Sequence, residues 1–116
     1  MKTLKFRIIR DDVRKACEFR SKVDNHRSWA DNCPICRAIV RAAKADRAEV
    51  GLTFVAYFKN GDRYRFYQHE QLQVARGYID NHSKNPDKIY KYLKDNNLLK
   101  FEVIDLTSLT NSICKL

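Results

Sequence analysis

Cysteine is the residue type here with the widest choice of chemistry, and the chain has four: Cys17, Cys33, Cys36 and Cys114. Cys33 and Cys36 stand as Cys-x-x-Cys, a spacing at which two thiols can share a metal ion or join as a disulfide. Adding Cys17 and His26 gives a mixed thiolate and imidazole set that a tetrahedral zinc ion accepts, and zinc is the one cofactor these residues suggest. The outer spacings match no common finger or ribbon. Cys36 also falls on the apolar side of its helix, where a buried thiol acts as a small hydrophobe. Packing is therefore the stronger reading, and on it no cofactor is expected.

General acid–base chemistry has less to work with. Asp24-Asn25-His26 and Asp80-Asn81-His82 echo part of an HNH nuclease, without that motif's hairpin or second histidine. There is no Ser, His and acid arrangement, no glycine-rich phosphate loop and no paired-carboxylate signature. The enzymatic alternative is a small toxin-type ribonuclease using Arg63, Arg65, Tyr64 or His69.

Cationic and aromatic side chains offer more. Lysine and arginine outnumber aspartate and glutamate 23 to 14, for a net charge of +9, which favours polyanionic partners. Residues 1–47 carry +7 of that charge. Arg37, Arg41 and Lys44 recur at i, i+4, i+7, and so form one basic helical stripe. Arg63 and Arg65 stand among Phe54, Phe58 and Tyr67, a mixture suited to phosphate contacts with base stacking. The competing reading has this face packed under a helix, with the arginine stems reaching outward and the lysines simply solvated.

The elements that must position these groups follow from periodicity. Leu4, Phe6 and Ile8 alternate with charge as a first strand. Asp11 and Asp12 are placed to cap a short helix over Val13 to Phe19, and a long polar loop follows from Arg20 to Asn32. Asn32 or Cys33 before Pro34 starts a helix that runs to about Asp46. Two β runs, Val50 to Phe58 and Arg63 to Tyr67, meet at an Asn60-Gly61 turn, pairing Tyr57 with Tyr64, Val55 with Phe66, Phe58 with Arg63 and Ala56 with Arg65. A helix is expected from about Glu70 to His82, and a lysine-rich one from Asn85-Pro86 to Asn96. Leu99, Phe101 and Val103 form a last strand beside the first, with Glu102 across from Lys5 or Arg7. The expected fold is α+β: a single domain over residues 3–106, a mostly antiparallel sheet of about four strands with helices packed on one side, and a loose tail at 107–116.

The run Asn32-Cys33-Pro34-Ile35-Cys36-Arg37-Ala38-Ile39-Val40-Arg41-Ala42-Ala43 resembles a pattern in small phage and actinobacterial proteins. There a strand is followed by Asn-Cys-Pro plus an aliphatic opening a helix, then a hairpin, a helix and a closing Phe-x-Phe-like strand, here Lys100-Phe101-Glu102-Val103. The chain departs from it in a longer loop before Asn32 and an extra helix near 86–95. The resemblance implies origin rather than chemistry. It leads to the expectation of a non-enzymatic phage-type accessory protein that binds a host macromolecule, inhibiting or modulating host machinery or defence in the host cytoplasm. The alternative partner class is RNA or DNA, bound directly through the basic aromatic face.

Ser28-Trp29-Ala30-Asp31-Asn32-Cys33-Pro34-Ile35-Cys36 and Phe58-Lys59-Asn60-Gly61 also look like fragments of thioredoxin. That fold needs a buried parallel strand leading into the cysteines and a proline turn facing them. Asp24-Asn25-His26-Arg27 is no such strand, and no proline lies between Cys36 and Phe58, so neither thioredoxin's fold nor its chemistry is expected. No run approaches the roughly 18 to 20 apolar residues of a membrane span, and the N-terminus has no signal-peptide core. The expectation is a cytoplasmic protein with reduced thiols and no membrane partner.

Overall fold

The computed structural model describes residues 3–22, 32–51, 53–68 and 70–105. Strand β1 (Thr3–Arg7) pairs antiparallel with β5 (Lys100–Ile104), setting Phe6 opposite Phe101 and Lys5 opposite Glu102. Alternation turns Phe6, Phe101 and Val103 into the core, and the rings of Phe6 and Phe101 stack at 5.5 Å.

Helix α1 (Arg10–Lys22) is longer than the segment Val13 to Phe19, because its capping differs from the expected one. Asp11 and Asp12 lie inside the first turn rather than before it, and the Asp12 carboxylate reaches back to accept the Ile9 N–H at 2.9 Å. Arg20 and Lys22 complete the last turn, where cations oppose the helix dipole. The rest of the expected loop, 23–31, lies outside the described residues, as does the tail after 105.

Helix α2 (Pro34–Ala43) takes Cys33 as its N-cap and ends short of Asp46, with Lys44 as its C-cap, whose φ of 53° puts it in the left-handed region. Its buried side, including Ile35, Ala38 and Ile39, packs on β1 and on β2 (Arg47–Val50) and β3 (Phe54–Lys59). The expected single run from Val50 to Phe58 therefore divides: Gly51 donates to the Phe54 carbonyl at 2.8 Å, folding β2 back along β3. Strand β4 (Asp62–Tyr67) completes the order β2-β3-β4, across a turn in which Asn60 and Gly61 both have positive φ. All four side-chain pairings expected for this hairpin are present.

Helices α3 (Glu70–Asn81) and α4 (Pro86–Asp95) follow, the second capped by Asn85, which accepts from the Lys88 N–H at 3.2 Å. The Tyr78 and Tyr92 rings stack at 3.6 Å across them. Among the described residues the strands form two antiparallel sheets, of two and three strands, joined by a bridge between Phe66 and Asp105. A single core draws on every element, from Phe6, Val13 and Ile39 to Val55, Phe66, Leu72, Ile89 and Val103, so the fold is one α+β domain. Among the described residues, no helix is long and apolar enough to cross a membrane.

Candidate nucleic-acid interface

The pleat of the three-stranded sheet separates two populations of side chain. Ala48, Val55 and Phe66 turn inward to the core. The opposite face carries Arg47 and Glu49 from β2, Phe54, Ala56 and Phe58 from β3, and Arg63, Arg65 and Tyr67 from β4. Register sets these in rows: Arg47, Phe58 and Arg63 form one, and Glu49, Ala56 and Arg65 the next. Phe54 pairs with Tyr67 beyond them.

Within these rows, cations lie against rings. The Arg47 guanidinium is 4.1 Å from the Phe58 ring centroid. Arg63 is 5.7 Å from Phe58 and 5.4 Å from Phe54, and Arg65 is 5.9 Å from Phe54. Ala56 is fully buried yet is not part of the core cluster, so its cover is this layer of arginine and phenylalanine on its own face. Arg63 also donates to the Glu49 carboxylate. No carboxylate lies within ion-pair distance of Arg65 among the described residues, and Tyr67 is 46% exposed. The face thus offers three arginines against one glutamate, with aromatic rings between them.

One end of this face is held from beneath. Buried Gln68 donates through Nε2 to the carbonyls of Gly51 and Phe54, at 2.8 and 3.1 Å, and Arg76 of α3 donates to Gly51 at 2.6 Å. A Cβ on Gly51 would stand 3.0 Å from the Phe54 ring, so glycine here makes room for that ring.

The basic stripe on α2 is used differently. Arg41 donates to the Asp12 carboxylate, which is 7% exposed, and to the Arg7 carbonyl, tying α2 to α1 and β1. Arg37 is half-buried, its Nε without a partner, and Lys44 is an exposed helix end. Arg37 and Arg41 line a cavity of about 560 Å³ together with Arg47, Asp12 and Asp46. Arg47 therefore links the stripe to the sheet face. A helix end expected near Asp46 and a strand start expected at Val50 leave Arg47 in neither element, although Arg47-Ala48-Glu49-Val50 carries the polar and apolar alternation of a strand.

The other candidates separate. Tyr64 lies on the inner side of β4, its ring 4.9 Å from Tyr57, across the sheet from Arg63 and Arg65. Burial of Tyr57 and the nearby Tyr64 push the Tyr57 phenol up. His82 stacks on Tyr78 at 4.0 Å, with Nδ1 2.9 Å from the Tyr78 carbonyl. His26 and His69 lie outside the described residues. Cys33 and Cys36 meet at the start of α2, while Cys17 is buried in α1. Among the described residues, no group of three His, Cys, Asp or Glu side chains is placed to hold a metal ion.

The chain matches no protein-family model, no curated protein and no solved structure.

Proposed function

We propose that the protein binds single-stranded nucleic acid on the outer face of the β2-β3-β4 sheet. The observation that carries this reading is the row Arg47, Phe58, Arg63, flanked by Phe54, Arg65 and Tyr67. Guanidinium groups supply phosphate contacts and planar stacking surfaces, and the rings accept unstacked bases whatever their sequence. A net charge of +9 steers polyanions toward the protein at low salt. Of the two partner classes expected from the sequence, host protein and nucleic acid, this face suits the second.

The test is fluorescence anisotropy of a labelled single-stranded RNA and its DNA counterpart at rising salt. Binding is expected to weaken along a log–log line, with a slope of about −0.7 per phosphate contacted. Charge reversal at Arg65 should flatten that slope. Absence of binding at low salt, or binding indifferent to salt and to Arg65→Glu, removes the reading.

A further inference from the structure

The first turn of α2 holds two thiols in contact. Cys33, the N-cap, has φ −67° and ψ 166°, and its Sγ accepts the Cys36 N–H at 3.5 Å. The same Sγ lies 3.6 Å from Cys36 Sγ. Oxygen side chains make the stronger caps, and Asn32 stands next door, yet the cap is sulfur. Cys33 keeps 4% of its surface exposed, whereas Cys36 keeps none and borders the cavity beside Arg37.

The two buried environments in which cysteine is found here differ in kind. Among the described residues Cys17 has no thiol bonded to it, and burial pushes its pKa up to about 11. Cys33 is held below the ordinary thiol range by the hydrogen bond from the Cys36 side chain, assisted by the N–H groups of Cys36 and Ile35 and opposed by desolvation. A thiolate at the positive end of a helix is the form that attacks sulfur.

We propose that Cys33 and Cys36 are a dithiol site that exchanges with low-molecular-weight disulfides of the glutathione class and closes an intramolecular disulfide at the start of α2. The Cys33 thiolate attacks one sulfur of the small disulfide, forming a mixed disulfide and expelling one thiolate, which takes a proton from water. Cys36 then gives its proton to water and attacks Cys33 Sγ. That step forms the Cys33–Cys36 bond and expels the second small thiolate, which takes up the proton that Cys36 gave to water. Two protein thiols are oxidised and one small disulfide is reduced to two thiols, with no further oxidant needed. The sulfurs have only to close from 3.6 Å to about 2.05 Å. Neither cysteine belongs to the sheet face, so this inference stands apart from nucleic-acid binding.

The full chain is incubated in glutathione buffers stepped from fully reduced to fully oxidised, acid-quenched, denatured and alkylated. Reduced protein takes up an alkyl group on each of its four cysteines; oxidised protein is expected to lose half of that uptake, with peptide mapping placing the new bond between Cys33 and Cys36. Cys36→Ser should accumulate glutathione on Cys33, Cys33→Ser should accumulate none at Cys36, and Cys17→Ser should behave as the parent. Full alkylation in glutathione disulfide alone, or a bond mapping to Cys17 or Cys114, overturns the proposal. The parent protein's own readout decides, whatever the variants do to folding.

Discussion

The Arg47 guanidinium lies over the ring of Phe58 on the neighbouring strand, 4.1 Å from the ring centroid, and the two residues are directly paired in the β2–β3 register. The contact spends one face of the ring on holding a cation at the sheet surface, while Arg63 approaches the same ring at 5.7 Å from β4. Two guanidinium groups are thus held beside one ring, with the Glu49 carboxylate bonded to Arg63. A phosphate arriving here meets both cations, which makes this row the centre of the proposed interface.

Replacing Phe58 by alanine should therefore weaken binding of a single-stranded oligonucleotide by roughly 1–3 kcal/mol, the range of one base–aromatic stack. Arg47→Ala should do less to affinity and more to salt dependence, lowering the slope magnitude by about 0.7. Anisotropy titrations at two salt concentrations separate the effects. Equal salt slopes for Arg47→Ala and the parent would take Arg47 out of the interface.

Much of this face was legible from the sequence, because a two-residue Asn60-Gly61 turn locks register, and register decides which of Phe58, Arg63 and Arg65 share a side. Arg47 was harder to read, since β2 is only four residues long, and so short an alternation does not by itself show that it pairs with β3. The role of Arg41 was hidden for a related reason. Helical spacing places it on a polar stripe, but its partners Asp12 and the Arg7 carbonyl are about 30 residues distant in the chain. The separation of the strands into two sheets depends likewise on how the core closes around Phe66, next to the bridge to Asp105.

Gly51 gives a test of the site that touches no charge. A methyl group there meets the Phe54 ring at 3.0 Å, so Gly51→Ala should displace that ring from beneath Arg63 and Arg65. Oligonucleotide affinity should fall while the far-ultraviolet circular dichroism stays as in the parent. Unchanged affinity would show that Phe54 is not part of the binding face.

Arg41→Met should cost stability. Asp12 is nearly buried and would lose its ion pair, but it keeps the Ile9 N–H, and the Arg41 side chain is 44% exposed to screening solvent. The expected loss is about 1–3 kcal/mol, below the full cost of orphaning a buried charge. Urea unfolding measures it, and a midpoint equal to that of the parent would show that the pair contributes nothing.

Gly77 lies inside α3, and a Cβ there meets nothing within 4 Å. Gly77→Ala should therefore stabilise the fold by about 0.5–1 kcal/mol, by removing backbone freedom from the unfolded chain. Thermal melting is expected to shift upward by several degrees. A downward shift would mean that the open space around Gly77 is needed.

Cys17 contributes to the loss of stability at alkaline pH. Burial raises its pKa from 9.0 to about 11 in the folded protein, so above pH 9 the unfolded chain releases a proton that the folded chain retains. The folded state then binds more protons, and stability falls as pH rises. The contribution is complete below about pH 9 and is lost progressively up to about pH 11, where the folded thiol itself ionises. Other groups titrate over the same range, so the quantity to measure is the difference between the parent and Cys17→Ala. Their urea midpoints should converge from pH 8 to pH 10.5, the parent losing its advantage. A constant difference across that range would place the Cys17 thiol in an environment no less polar than water.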